Sequence, residues 1–154
     1  MFLSVDKQRI KRFFITNWGT CEMVYSQGVF NCLNLDGFAA VDQKDIIGLI
    51  TFYITESTSH IISLDSIRQN QGIGSSLLTR TEEHAKKQNC SSIQLVTTND
   101  NLKALYFYQK RGYQCIKVLP NAVNKAREIK PEIPLFSNDG IPIRDEFILS
   151  KRLK

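Results

Sequence analysis

The apolar pattern of the chain changes period at Gly72. Ahead of it, apolar residues come in short β-rich runs; behind it, they fall on one helical face. "GFAAVDQKDIIGLITFYI" (37–54) holds two such runs that meet at the polar "DQKD", which predicts a hairpin. "CEMVYS" predicts a short strand with "QG" as its turn, and "HIISLDSI" (60–67) a strand whose isoleucines and Leu64 fill both faces. After Gly72, residues Ile73, Leu77, Leu78, Thr81 and Ala85 share a face, while Glu82–Lys86 and Glu83–Lys87 form i,i+4 pairs on the other. "SSIQLVTT" (91–98) returns to strand character. "NDNLKALYFYQKRGY" (99–113) has Asn/Asp at its start, Lys110 and Arg111 in its last turn and Gly112 as its stop, which predicts a helix. "YQCIKVL" and "IRDEFILSKRL" predict closing strands. At the other end, "DKQRIKR" (6–12) with Val5, Ile10, Phe13 and Phe14 predicts an amphipathic helix. Hairpins followed by a β-α-β-α-β run give an α/β chain with a mixed sheet and helices on both faces.

Composition narrows this little. At 154 residues the chain suits a single domain spanning 1–154, with 42% apolar and 23% charged residues, as in ordinary globular proteins. No run approaches the roughly 18 apolar residues of a membrane span. Asp6 and Lys7 interrupt the N-terminus too early for a signal-peptide core, so a cytoplasmic location is expected. The net charge of +5 suits an anionic ligand, and the absence of a dense basic tract argues against nucleic acid. Cys21, Cys32, Cys90 and Cys115 have no CxxC pairing and no metal spacing with His60 or His84; they are expected to be reduced, packed thiols, and no metal site is expected.

The stretch "SIRQNQGIGSSLL" (66–78) carries the candidate chemistry. Glycine at a strand-to-helix turn can simply supply a positive φ. A dinucleotide fingerprint would require a third glycine where Leu77 stands, and a P-loop would require G-K-[ST]. The remaining reading rests on the helix N-terminus, whose first amides lack internal partners and carry partial positive charge. Without side chains at Gly72 and Gly74, a pyrophosphate could approach those amides closely.

"Gln69-Asn-Gln-Gly72-Ile-Gly74" resembles the Q/R-x-x-G-x-G/A acetyl-CoA loop of the GNAT N-acetyltransferase superfamily. Downstream, "Asn101-Leu-Lys-Ala104-Leu-Tyr-Phe-Tyr108-Gln-Lys-Arg-Gly112-Tyr113" resembles its N-x-x-A-x-x-x-Y-x-x-x-G-F/Y segment. The resemblance is clear over residues 37–118 and implies a mixed, mostly antiparallel central sheet flanked by helices on both faces. It also implies acetyl-CoA as co-substrate and direct transfer of the acetyl group to an amine in a ternary complex. Main-chain groups around Ser66 and Ile67 would bind the pantetheine arm. Amides of Gln71, Gly72, Ile73, Gly74 and Ser75 would hold the pyrophosphate, with Gln69 opening the motif. Tyr108 would protonate the departing thiolate, unless it is a core tyrosine. Asn101 would cap its helix, reach the cofactor, or both. Arg68 would add charge near the phosphates or point into solvent.

A general base is the least determined part. Asp65 lies inside an apolar strand, where a carboxylate is costly without a partner. It is the first candidate; its rival reading is a buried carboxylate bonded to backbone amides. Glu56 stands at the end of the preceding strand. Cys115, alone in an apolar strand, is expected to be inert. "PNAVNKAREIKPEIPLFSNDGIPI" (120–143) exceeds an ordinary hairpin loop. "NAVNKARE" predicts a short helix, Pro131, Pro134 and Pro142 keep the rest extended, and the segment either shapes the acceptor side or covers the sheet edge. Two other function classes stay open: a non-catalytic CoA or acyl-CoA-binding regulatory module, and, less favoured, a nucleic-acid-binding domain. The expected partners are acetyl-CoA and an amine acceptor, with no membrane partner, in a monomer or homodimer.

Overall fold

The structure, a computed structural model, describes residues 6–68 and 70–153. They form two compact units, one of residues 6–23, 30–93 and Leu153, the other of residues 24–29 and 94–152.

The first unit begins with helix α1 (Lys7–Trp18), where the Asp6 side chain accepts from the Arg9 amide at 2.9 Å. Left-handed Gly19 ends it, its amide donating to Ile15 O. Phe13 and Phe14 are buried, as the amphipathic pattern requires; Val5 lies outside the described residues. Strands β1 (Glu22–Tyr25) and β2 (Gly28–Asn31), whose residues 24–29 belong to the second unit, form a two-stranded hairpin, and a single 3₁₀ turn follows at Cys32–Asn34.

Strands β3 (Asp36–Asp42), β4 (Asp45–Thr55) and β5 (Thr58–Ser66) make an antiparallel meander, with the 42–45 turn where the polar "DQKD" predicts it. Two register shifts interrupt the ladders. Between β3 and β4, Ile47 is passed over, and its carbonyl instead accepts from the Ile67 amide at 3.0 Å. Between β4 and β5, Ile62 is passed over. Helix α2 (Ile73–Lys87) packs on β3, β4 and β5 through Leu77, Leu78, Thr81 and Ala85, the face that periodicity predicts. Gly48 makes this approach possible: a Cβ there would lie 2.5 Å from Ile73 Cγ2 and 3.1 Å from Leu77 Cδ1. On the same sheet face, His84 packs on Phe38 and Phe52, and the Arg80 guanidinium sits 4.9 Å from the Phe38 ring centre. Thr51, three positions on from Gly48, points the other way, toward Cys32. Buried Ile46 to Phe52 are therefore covered on both faces, which explains their nearly unbroken apolar run.

In the second unit, β6 (Ser92–Thr98) enters from the first, followed by α3 (Leu102–Lys110), β7 (Gln114–Leu119), α4 (Ala122–Ile129) and β8 (Glu146–Arg152). The last strand inserts between the earlier two, in the order β6-β8-β7, with β7 and β8 antiparallel. Buried Glu146 accepts from the amide and hydroxyl of Ser26, at 2.8 and 2.6 Å. The 120–143 segment contains the expected short helix and is internally tied. Arg127 donates to the carbonyls of Ile133, Pro134 and Ile143, and Asn99 binds Pro142 O, Arg144 N and Asp145 N.

Gly48→Val is expected to lower stability by about 1–3 kcal/mol, because it overpacks the α2–β4 contact. Urea unfolding should show a lower midpoint with an unchanged slope.

Candidate active site

The loop joining β5 to α2 is built around the α2 N-terminus. Asn70 and Gly72 are both left-handed, with φ of 60° and 71°. Gly72 occupies the N-cap position, provides no side-chain cap, and has open space where its Cβ would be. The helix's own bonding begins with Ser76 N donating to Gly72 O at 3.0 Å. The amides of Ile73 and Gly74 come before that bond, and no helical carbonyl reaches them. The first turn holds no acidic residue to oppose an incoming anion. Gln71 is exposed, and Gln69 lies outside the described residues.

Three contacts hold the loop's entry. Ile67 N is committed to Ile47 O, so Ile67 can meet a ligand only through its carbonyl or side chain. Ser66 Oγ donates to Arg68 O at 2.9 Å. Arg68 pairs with Asp42 at 2.6 Å, and both side chains are more than two-fifths exposed. Such a pair contributes roughly 1 kcal/mol or less and is readily exchanged. A shallow groove of about 310 Å³ follows the outer face of α2, lined by Ser75, Ser76, Thr79, Arg80 and Glu83. Sequence reasoning gave no binding role to Ser76, Thr79, Arg80 or Glu83, and placed Glu83 only in a surface pair with Lys87, although the spacing Ser75, Thr79, Glu83 already put polar groups on one face.

Asp65 stands on β5 opposite Leu49, and Ser63 stands opposite Thr51, on the same side of the sheet. The Trp18 indole lies close enough to the Asp65 carboxylate to favour its charged form, no backbone amide among the described residues donates to it, and its Oδ2 is buried without a partner. Burial pushes its pKa above the ordinary value, and the Trp18 indole opposes this more weakly. Beside it, Thr51 Oγ1 and Ser63 Oγ are 2.5 Å apart, and Thr51 Oγ1 lies 3.7 Å from Cys32 Sγ. Burial also raises the Cys32 thiol pKa. Glu56 is exposed in the β4–β5 turn, at the opposite end of β5 from Asp65.

In the second unit, Asn101 caps α3, its Oδ1 accepting from Ala104 N at 3.1 Å. Tyr108 is buried between Phe107 and Tyr113, which meet its ring edge-to-face. Tyr106 is 67% exposed and lies under Lys110. Cys115 departs from the buried-thiol expectation. It is exposed, because β7 is the edge strand of its unit and presents both faces to solvent. Among the described residues, no group of three or more His, Cys, Asp or Glu is placed to hold a metal ion. No helix among them is long and apolar enough to cross a membrane.

Residues 7–113 match the Acetyltransferase (GNAT) family. The chain is 53% identical over 148 residues to YdhI, an uncharacterized protein of Bacillus subtilis (strain 168), covering 96% of this chain and 92% of that one. A GNAT family acetyltransferase from Elizabethkingia anophelis, solved with acetyl-CoA bound, is 28% identical with a TM-score of 0.66, over 76% of this chain and 75% of that one. The IAA acetyltransferase from Bacillus cereus ATCC 14579 shares the fold over 99% of both chains, with a TM-score of 0.73 at 19% identity. The chain belongs to the GNAT acetyltransferase family and has its mixed α/β fold.

A carboxyl whose pKa is raised on folding stabilises the folded state only while protonated, and that contribution is lost as pH rises through the folded pKa. Asp65→Asn removes the buried charge at nearly constant side-chain volume. It should therefore raise thermal stability at neutral pH, by about 1–3 kcal/mol, with the gain vanishing below about pH 4, where the free carboxyl is protonated. Melting curves at both pH values check this.

Proposed function

We propose that the chain is an acetyl-CoA-dependent N-acetyltransferase that moves the acetyl group to an amine by direct attack in a ternary complex, with residues 1–154 acting as one acetyltransferase domain. The observation that carries this reading is the uncapped, glycine-entered N-terminus of α2. Its amides at Ile73 and Gly74 suit a pyrophosphate, supported by backbone groups from Gln71 to Ser75. The family model and the acetyl-CoA-bound relative support that ligand. Ser66 and the Ile67 carbonyl are assigned to the pantetheine arm. Gln69 and Asn101 keep the binding roles that the resemblance gives them.

The attacking amine must be neutral, and negative charge grows on the thioester oxygen as it attacks, so a fixed backbone donor is the economical stabiliser. Asp65 is assigned as the base that takes the amine's proton. Its raised proton affinity suits that task better than an ordinary carboxylate's would. Tyr108 is assigned as the proton donor to the departing thiolate.

Titration of the protein with CoA, and release of free CoA thiol from acetyl-CoA across an amine panel, test the proposal. Binding without release for any amine would leave a CoA-binding module instead. Gly74→Val should weaken CoA at least about tenfold, equivalent to about 1.4 kcal/mol, with a normal circular dichroism spectrum; unchanged affinity would remove the phosphate cradle. Tyr108→Phe should lower kcat about 100- to 10,000-fold with little change in CoA affinity, whereas Tyr106→Phe, on the exposed face of α3, should be nearly silent.

A further inference from the structure

Cys21 and Cys32 flank the open end of the β1–β2 hairpin. The turn between Tyr25 and Gly28 has two residues, Ser26 and Gln27, so each step outward along one strand is matched by a step along the other. Glu22 thus faces Asn31, and Cys21 faces Cys32. Cys32 N donates to Cys21 O at 2.9 Å, which agrees with that register. Directly opposed residues project their side chains to the same side. The α-carbons lie only one or two covalent bonds from the bonded atoms, which keeps them within roughly 7 Å. A disulfide spans about 4.4–6.8 Å.

We propose that Cys21 and Cys32 form a redox-modification site that closes to an intramolecular disulfide by exchange with a small disulfide of the glutathione type. Half-buried Cys21 is the accessible partner and Cys32 is buried, so the order of events is fixed. The Cys21 thiolate attacks one sulfur of the oxidant, forms a mixed disulfide and expels one small thiolate. Cys32, after losing its proton, attacks Cys21 Sγ and expels the second. Both cysteines are oxidised by one electron each, the oxidant is reduced to two thiols, and the cysteine protons pass to these through solvent. Closure turns the Cys32 sulfur toward Cys21 and away from the Thr51 hydroxyl, which it meets at 3.7 Å in the reduced protein.

The test uses the folded, full-length protein and oxidised glutathione, with free thiols counted and peptides mapped after alkylation. The count should fall from four to two and return to four with dithiothreitol. Trypsin releases residues 13–44 as one peptide carrying both cysteines, since no Lys or Arg lies between Phe13 and Lys44. That peptide should be two hydrogens lighter, and cleavage after Glu22 should leave its halves joined until reduction. Cys21→Ser should abolish the bridge. Four persistent thiols, a glutathione adduct that stays on Cys21, or a bridge to Cys90 or Cys115 would each overturn the proposal. These readouts need no enzyme assay, so they stand or fall apart from the transferase reading.

Discussion

The close seat of α2 on β4 is the contact on which the candidate phosphate site depends. A helix presents unpaired amides at its N-terminus wherever it starts, but they bind a ligand only if their position is fixed. Gly48 fixes it by letting Ile73, the first helical residue, lie against the β4 backbone. One glycine in a strand thus determines where the helix begins, while another, Gly72, lets the chain turn left-handed into it. The passed-over Ile47 adds a second restraint: its spare carbonyl takes the Ile67 amide and pins the strand end that feeds the loop.

The first unit pairs this loop with a costly carboxylate. Asp65 sits beside neutral groups, Cys32, Thr51 and Ser63, with one oxygen unpartnered and the Trp18 indole nearby. Burying such a group opposes folding at neutral pH, and packing elsewhere in the unit must offset it. Strain of this kind is expected where a side chain is kept for its proton affinity rather than for stability.

Much of the fold was legible because periodicity records burial directly. The face Leu77, Leu78, Thr81 and Ala85 follows from helical spacing alone, and Asn101 and Gly112 mark the ends of α3 by cap and turn chemistry. The register shifts at Ile47 and Ile62 were not legible, because a bulge inside a run of isoleucines changes no residue type. Partnerships across long separations were equally silent. Arg68 meets Asp42, and Asp65 meets Trp18 on another element; Arg127 collects carbonyls from a proline-rich stretch whose side chains say nothing of it. Cys115 misled for a related reason: an apolar strand reads as buried until topology places it at an edge.

These differences bear on how the loop would accept an anion. Its backbone is held by bonds that a ligand has no cause to break, the Ile67–Ile47 link and the Ser76–Gly72 start of the helix. The nearby Arg68 is held by an exposed pair worth little. A phosphate arriving at the amides would therefore find the donors in place and would need, at most, to exchange the Arg68–Asp42 contact. Ordering cost, the usual drain on affinity, is then largely met by folding itself. Under the proposed reading, the loop would offer a phosphate a backbone cradle with an exchangeable charge beside it.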